Sequence, residues 1–330
     1  MNVLSKYSRR AFIQYTAAGV PLALGLAGGA SLAQSSPGVR LGVQTYSFRD
    51  MLQTPGDMAD KMIGAMRELG LTECEVFEPT LQPPALSADA PWRMTAGKPT
   101  QASLLGRPPT GAPTAEQLAN REAIRQWCLG EGLEQVKAAG AQLKSAGIRV
   151  FAFNFLLKDW CTDEEVERGF QMTRALGAKI MTVSTTLTMA KRTVPFAEKH
   201  KVLLALHGHS NLSDPNQFAT PESFAQGLAM SPYYRVNLDI GHFTASGFDP
   251  VAYIRANHER ITNLHIKDRR RNDGPNTEFG QGDTPIKAVL QLLKTQRYPI
   301  PAYVEYEYAG TGNSTAEVRK CLEYVKSVLA

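Results

Sequence analysis

Eight short runs along the chain have the composition of β-strands, and a segment with helical spacing follows each of them. In the last four runs apolar and polar residues alternate, which indicates strands with two different faces. Loops rich in glycine, proline and small polar residues separate the runs. The predicted strands span residues 40–46, 72–77, 148–155, 179–184, 202–207, 235–240, 261–267 and 300–307.

Strict alternation of strands and helices predicts a parallel sheet with helical crossovers. Eight such units in about 290 residues match an α/β fold of the (β/α)8 (TIM) barrel type, built as a single domain. The alternative is a doubly wound open sheet, which would carry a glycine-rich phosphate loop after the first strand. The sequence QTYSFRD at that position is not such a loop.

Four chemically suitable side chains fall near the C-terminal ends of predicted strands five to eight. They are His207, Asp239, His265 and Glu305. Active sites of these barrels lie at the C-terminal ends of the strands. Two imidazoles and two carboxylates suit one divalent ion, with Mn2+, Co2+, Zn2+ and Fe2+ all compatible and Mg2+ less so. Each residue alone could instead be a satisfied polar group at the barrel mouth.

If the strands are in comparable register, these four residues form one layer of the barrel interior. His209, Gly241, Lys267 and Glu307 would form the next layer toward the mouth. An imidazole is a natural acid or base near neutral pH, so we expect His209 and Glu305 to move protons. Lys267 could donate to a developing enolate oxygen. The alternative is that Lys267 pairs structurally with Glu307 or Asp268.

Other polar residues near predicted strand ends are candidates for contact with substrate. His242 could contact substrate or orient Asp239, and structural roles are equally open for the others. The full set is Gln44, Tyr46, Glu75, His242 and Glu307. The basic run from Lys267 to Arg271 is expected to be a solvated loop face rather than a site for phosphate or nucleic acid.

The N-terminus has the features of a targeting segment. Paired arginines, Arg9 and Arg10, precede an uncharged run rich in Ala, Gly and Leu, and Ser31-Leu32-Ala33 resembles a cleavage site. Residues 1–33 are therefore predicted to be a twin-arginine signal peptide, with a retained anchor as the alternative. The mature chain, 34–330, would use the twin-arginine export machinery and act in the periplasm or another extracytoplasmic space.

The formal net charge of +5 comes mostly from this segment. Without Lys6, Arg9 and Arg10, 33 of the 36 basic residues remain against 31 acidic ones, a net charge of +2. This balance gives no reason to expect nucleic acid or, after processing, a membrane as partner. Whether the chain forms a homo-oligomer stays open.

A long interruption follows the second strand. Residues 78–121 contain eight prolines and few apolar residues, so they should form an inserted loop rather than a second domain. We expect it to cover the mouth. Helical spacing resumes over residues 122–144. The four scattered cysteines, Cys74, Cys128, Cys161 and Cys321, do not suggest a zinc cluster, and disulfides and free buried thiols are equally open.

Several segments together resemble the sugar phosphate isomerase/epimerase group of the xylose-isomerase-like barrels. They are LALHGHSN, NLDIGHF, LHIKD, FGQGD and VEYEY. The resemblance extends from GVQTYSF to the last helix. It implies a (β/α)8 barrel with one divalent ion, usually manganese-like. Its ligands would come from strands five to eight, matching His207, Asp239, His265 and Glu305.

One position departs from that group. Its keto-sugar epimerases generally carry a glutamate where His207 stands, and the two metal-bound glutamates act as acid and base. Here only Glu305 matches that pair. The resemblance still implies an isomerase or epimerase that works through an enediolate. The predicted export favours a small unphosphorylated carbohydrate, such as a free keto-sugar, as its substrate and partner. A lyase or hydratase for keto-sugars or keto-glycosides is the alternative.

Two further classes are weaker expectations. A metal-dependent phosphodiesterase of this fold would need about three ions and more ligands, and the fourth strand, MTVSTT, offers none. A non-catalytic sugar-binding barrel would not need a complete set of metal ligands.

Overall fold

A computed structural model describes residues 38–54, 56–83, 86 and 112–330. Eight parallel strands close into a barrel in the order β1 to β8, each hydrogen-bonded to the next, and β8 pairs with β1. The prediction of a (β/α)8 barrel is therefore confirmed. The predicted signal peptide, 1–33, and most of the predicted insertion lie outside the described residues.

The strands agree closely with the predicted runs, usually within two residues at each end. They are β1 (Leu41–Gln44), β2 (Glu73–Phe77), β3 (Arg149–Asn154), β4 (Ile180–Val183), β5 (Leu203–His207), β6 (Tyr234–Asp239), β7 (Ile261–Ile266) and β8 (Ala302–Val304).

The helices form the outer layer of the barrel. They are α1 (Met58–Glu68), α2 (Ala115–Leu129), α3 (Gly132–Ser145), α4 (Asp163–Ala175), α5 (Leu187–His200), α6 (Pro221–Met230), α7 (Ile240–Ala245), α8 (Pro250–Asn257), α9 (Ile286–Gln296) and α10 (Ser314–Leu329). A 3-10 helix, Thr45–Gln53, follows β1. Among the described residues no helix is both long and apolar enough to cross a bilayer.

Local sequence explains where several helices begin. Thr162 caps α4 through a reciprocal pair of hydrogen bonds with Glu165, and Thr220 caps α6 in the same way with Ser223. These side chains satisfy backbone N–H groups that have no partner inside the helix. The capped helices then bury one face against the barrel wall, where the main apolar core lies.

Two predicted boundaries need correction. The helix predicted over 122–144 is two helices, because Gly130 takes a non-helical conformation and ends α2. Helix α2 also begins at Ala115, inside the predicted insertion, where Thr114 supplies a capping box. The capping box of Thr114 therefore starts α2 immediately after Pro113, the last proline of the predicted insertion.

Strand β8 is much shorter than the predicted run of 300–307. Pro301 lacks the N–H that a central strand must donate, so the ladder begins at Ala302. Beyond Val304 the backbone N–H of Tyr306 turns to the hydroxyl of Ser47, 3.0 Å away. Glu305 and Glu307 therefore lie just past the strand end, at the mouth of the barrel.

The strands are staggered, and this corrects the predicted level layer. Asp239 pairs with His265, but His207 is level with Asn237 and His265 is level with Tyr303. Strands in a barrel tilt relative to its axis, so neighbouring strands shift in register. The side chains of the four predicted ligands nevertheless converge.

The four cysteines, all within the described residues, are buried and unpaired. Of the two alternatives that the sequence left open, the structure shows free thiols.

Candidate active site

The four predicted metal ligands lie together at the C-terminal ends of the last four strands. His207 ends β5, Asp239 ends β6, His265 is in β7 and Glu305 follows β8. Each is at most 6% exposed. One ligand atom from each of His207, Asp239 and His265 lies within 4.8 Å of the others. Glu305 joins this group through its Oε2 atom, 3.0 Å from Nδ1 of His265.

Asn237 sets the protonation of His207. Nδ1 of His207 lies 2.6 Å from the amide oxygen of Asn237, which can only accept a hydrogen bond. The ring proton therefore sits on Nδ1, and the lone pair is on Nε2. A histidine that donates one ring N–H to a protein acceptor and presents the other nitrogen is the usual arrangement around a metal.

Glu75 holds His265 in the same manner. Nε2 of His265 lies 3.0 Å from Oε2 of Glu75, leaving Nδ1 directed toward Glu305. Burial alone would lower the pKa of His265, but these two carboxylates outweigh it and raise the pKa well above its ordinary value. A metal ion at Nδ1 would displace the proton that His265 carries there in the metal-free protein.

Asp239 divides its two oxygens between two tasks. Oδ1 accepts a hydrogen bond of 2.7 Å from the backbone N–H of His242 and so caps α7. Oδ2 lies 2.9 Å from Nζ of Lys267. The helix start therefore fixes the carboxylate and leaves one oxygen for the site.

Lys267 connects the two predicted layers. Its Nζ atom lies 2.8 Å from Oε2 of Glu305 and 2.7 Å from Oε2 of Glu307, in addition to its contact with Asp239. Burial works against the charged form of Lys267, but the three carboxylates outweigh it and raise its pKa. Burial likewise raises the pKa of Glu305, but Lys267 and His265 hold that pKa well below its ordinary value.

The donor set fits a divalent cation. Asp239 Oδ2, His265 Nδ1 and Glu305 Oε2 are buried at ion-pair distances from charged neighbours, yet none has a partner in hydrogen-bonding geometry. Three carboxylates around Lys267 carry an excess of two negative charges, which a divalent ion would offset. The 3.0 Å between His265 Nδ1 and Glu305 Oε2 matches the separation of adjacent ligands about 2.1 Å from one ion.

A second group of imidazoles overlaps the first. One ring nitrogen from each of His207, His209 and His242 lies within 4.8 Å of the others. Burial holds the pKa of both His209 and His242 well below the ordinary value, with neighbouring positive groups acting in the same direction. Both rings are therefore neutral at neutral pH, as a proton acceptor must be.

The predicted substrate contacts are divided between two environments. Glu75 is fully buried below His265, where Asn263 and Thr182 donate to it at 2.7 and 2.6 Å. Gln44 is buried and also reaches Glu75, at 3.4 Å. These contacts favour a role in orienting His265 over the predicted contact with substrate.

Tyr46 and Glu307 remain candidates to contact substrate. Tyr46 is partly exposed, and the guanidinium of Arg49 lies over its ring. Burial of its hydroxyl group raises the pKa of Tyr46 to about 12, so the hydroxyl is protonated and able to donate. Glu307 accepts from Asn276 as well as from Lys267.

The basic run is not a solvated face at each of its positions, as the sequence suggested. Lys267 and Arg269 are fully buried, and Arg269 Nη1 lies 2.5 Å from Nδ1 of His242. Arg270 and Arg271 are exposed. Asp268 accepts from the backbone N–H groups of three residues of the following loop, so of the two predicted partners Lys267 pairs with Glu307.

Sequence reasoning missed the polar residues that support the ligands. Asn237 and Asn263 share the inward parity of Asp239 and His265, so the alternation of polar positions could have indicated them. Thr182 and Asn154 lie on strands with a weaker polar pattern, and both contact Glu75. Nothing in the sequence distinguishes Arg269 from the arginines beside it.

A family model described as "Xylose isomerase-like TIM barrel" matches residues 111–328, which include all four predicted ligands. The chain belongs to the xylose isomerase-like TIM barrel family. Among curated proteins it is 28% identical over 100 residues to the L-ribulose-5-phosphate 3-epimerase UlaE of Salmonella typhimurium. That match spans 30% of this chain and about a third of the relative, 35%.

Several solved structures share the barrel fold at low sequence identity. The sugar phosphate isomerase/epimerase of Parabacteroides distasonis has a TM-score of 0.55 and 18% identity, covering 93% of this chain and 98% of that one. The probable 3-DHS dehydratase AsbF of Bacillus anthracis has a TM-score of 0.58 and 14% identity, covering 86% and 98%. The 3-keto-D-glucoside 4-epimerase YcjR of E. coli has a TM-score of 0.56 and 13% identity, covering 88% and 99%.

Proposed function

We propose that this xylose isomerase-like barrel is a divalent-metal-dependent isomerase or epimerase that acts on an unphosphorylated keto-sugar. The observation that carries the proposal is the cluster of His207, Asp239, His265 and Glu305. Each histidine has one nitrogen engaged by an acceptor of the protein and the other left for a ligand. Each carboxylate keeps one oxygen at the same centre without a hydrogen-bonded partner.

Two imidazoles with two carboxylates are compatible with Mn2+, Co2+, Zn2+ and Fe2+. Of these we propose Mn2+ first, because the resemblance to the sugar phosphate isomerase/epimerase group implies a manganese-like ion. When bound, such an ion would polarise the carbonyl group of a hydroxy-ketone and offset the charge of the enediolate formed from it.

Glu305 is the residue we assign to remove the proton next to the carbonyl group. Its low pKa keeps it ionised at neutral pH, and its Oε2 atom is at the centre of the cluster. His209 is neutral and partly exposed at the mouth, so it would accept or return a proton there. Lys267, held charged between three carboxylates, would donate to the oxygen on which charge develops.

An unphosphorylated substrate agrees with the state of a nearby cation. Arg269 is already surrounded by acceptors of the protein, so binding a phosphate to it would require breaking those contacts. Periplasmic action after twin-arginine export is part of the same proposal and points to free sugars or glycosides. The relative UlaE is named for a phosphorylated pentulose, so that substrate belongs in the test panel.

His207 is the reason to consider a lyase or hydratase as the second candidate. With histidine at this position the cluster has one carboxylate base at the metal, Glu305, rather than one on each face of the substrate. Proton removal by one base followed by loss of a hydroxyl group would give elimination. The products separate the two reactions, because an isomer keeps the mass of the substrate and elimination releases water.

The test is a proton-exchange assay on purified chain that has been stripped of metal and reloaded with Mn2+. Keto-sugars, keto-glycosides and L-ribulose 5-phosphate are incubated in heavy water, and deuterium next to the carbonyl group is measured. We expect Mn2+-dependent exchange on at least one unphosphorylated keto-sugar, with Glu305→Gln as the inactive comparison. A chain that binds no metal and catalyses no exchange would contradict the proposal.

A further inference from the structure

Arg269 is a fully buried arginine with an acceptor for each of its N–H groups. Nη1 donates to Ser210 Oγ at 2.9 Å and lies 2.5 Å from His242 Nδ1. Nε and Nη2 donate to the carbonyl oxygen of Gly274 at 3.1 and 2.7 Å, and Nη2 is 3.5 Å from Asp273 Oδ1. The five N–H donors of the guanidinium therefore face four acceptor atoms, and the carbonyl oxygen of Gly274 accepts from two of them.

The direction of the hydrogen bond to His242 follows from the chemistry of arginine. A guanidinium carries donors only and does not lose its proton in proteins. Nδ1 of His242 must then be the acceptor, which places the single ring proton on Nε2. Ser210, which accepts from the same Nη1 atom, is not the donor to His242, because its hydroxyl proton is donated to Asp273 at 2.7 Å.

We propose that Arg269 is a positioning residue that locks His242 in the tautomer protonated at Nε2. His242 then serves the site only as a hydrogen-bond donor to an oxygen of the substrate. Its nitrogens cannot bind a metal ion, because Nδ1 is covered by Arg269 and Nε2 carries the proton. It also cannot act as a base, since the remaining lone pair is engaged.

This lock separates the two overlapping groups of possible ligands. The group of His207, His209 and His242 loses a member, whereas the group of His207, Asp239 and His265 keeps all three. Asn237 and Glu75 accept a hydrogen bond from one ring nitrogen of His207 and His265, so the other nitrogen can offer its lone pair to a metal ion. Arg269 instead donates to His242 and occupies the lone pair of that ring. These partners therefore make His207 and His265 metal ligands and His242 a hydrogen-bond donor.

The role toward substrate rests on the proposed function, but the tautomer does not. A locked N–H donor beside the metal cluster selects for substrates that place an acceptor there, such as a carbonyl or hydroxyl oxygen. An analogue that lacks this oxygen would leave the buried N–H without a partner and bind more weakly.

The tautomer can be read by NMR on the mature chain labelled with 15N-histidine, both metal-free and with Zn2+, which does not broaden signals. Protonated and unprotonated ring nitrogens differ strongly in 15N shift, and His242→Gln identifies the signals. We expect Nε2 of His242 to be protonated in the wild type and in Arg269→Lys, which keeps a donor. In Arg269→Met we expect the Nδ1-protonated form to appear.

Kinetics provide the second readout. Arg269→Met should lower kcat/KM by about tenfold, mainly by raising KM, because the substrate loses an ordered donor. The exposed neighbour supplies the matched control, and Arg270→Met should leave both parameters and the His242 spectrum unchanged.

A wild-type His242 protonated at Nδ1 would overturn the proposal, and this result needs no variant to fold. An Arg269→Met spectrum identical to that of the wild type would overturn it as well. If the expected tautomers are found but no keto-sugar reacts, the lock stands and the proposed function fails. The two proposals can therefore be judged separately.

Discussion

Two clusters of charged side chains lie at opposite ends of the barrel, and they are built in opposite ways. In the lower cluster a buried carboxylate meets two exposed arginines, whereas in the upper cluster the charged groups are almost all buried. The lower cluster, near the N-terminal ends of the strands, is formed by Glu73, Arg149, Arg40 and Tyr303. Glu73 Oε2 accepts two hydrogen bonds from Arg149, the one from Nε at 2.6 Å, and lies 3.6 Å from Arg40. The hydroxyl of Tyr303 donates to Oε1. Both oxygens of this carboxylate are satisfied by the chain itself.

The upper cluster, at the C-terminal ends, is formed by Asp239, His265, Lys267, Glu305 and Glu307. Here three carboxylates surround one ammonium group, and three ligand atoms have no hydrogen-bonded partner. Burial of unpaired charge is costly, so such an arrangement persists only if something outside the chain completes it or the fold compensates elsewhere. The carboxylate of the lower cluster is thus fully paired within the chain, whereas the upper cluster keeps ligand atoms that a cation can bind.

The largest expected effect comes from changing the proposed base in the upper cluster. Glu305→Gln removes both a metal-side oxygen and the proton acceptor, so we expect the exchange rate on a reactive keto-sugar to fall about 10³-fold. Deuterium incorporation at saturating Mn2+ measures this. Glu323→Gln, an exposed position on α10, is the control. Exchange at the wild-type rate in Glu305→Gln would remove Glu305 from the mechanism.

Metal removal should act on the upper cluster alone. A chelator should lower the free energy of unfolding relative to protein with excess Mn2+, by about 2.7 kcal/mol when free metal exceeds Kd a hundredfold. Denaturant titrations with and without Mn2+ measure the difference. The same shift in Glu305→Gln would indicate that the ion binds elsewhere.

Glu75→Gln tests the residue beneath His265. We expect metal affinity to fall about 10- to 100-fold, because a neutral amide orients the imidazole less firmly and does not raise its basicity. Calorimetric titration of the metal-free chain with Mn2+ gives the affinity. Wild-type affinity in this variant would mean that Glu75 serves substrate or stability rather than the metal.

A substitution in the lower cluster should change stability and leave metal affinity unchanged. Glu73→Gln, two residues earlier on the same strand, leaves two arginines and Tyr303 with a weaker acceptor. We expect the free energy of unfolding to fall by about 1–3 kcal/mol while metal affinity stays unchanged. The same two titrations measure both quantities. A loss of metal affinity as large as that of Glu75→Gln would show that the clusters are coupled.

Much of this fold could be predicted because alternation and capping are local signals. Polar parity on strands five to eight indicated the residues that converge at the mouth. The start of α4 is equally local, because Thr162 and Glu165 form a capping box three residues apart. The end of β8 was not predictable from the same signal. The parity of Tyr303, Glu305 and Glu307 continues past the point where the backbone leaves the ladder for Ser47.

The support of the site was harder to predict because it depends on distant pairs. Glu75 contacts His265 from 190 positions away, and Arg269 looks identical in sequence to Arg270 beside it. A basic run in a loop gives no indication of which arginine turns inward. The alternation of residues had placed Lys267 one layer above Glu305. The register shift between β7 and β8 instead brings the two side chains into contact.

The central claim is that the upper cluster binds one divalent ion, and anomalous diffraction from crystals grown with Mn2+ tests it most directly. The account predicts one strong peak within coordination distance of His207 Nε2, Asp239 Oδ2, His265 Nδ1 and Glu305. A peak among His207, His209 and His242 instead, or no peak at saturating Mn2+, would contradict it.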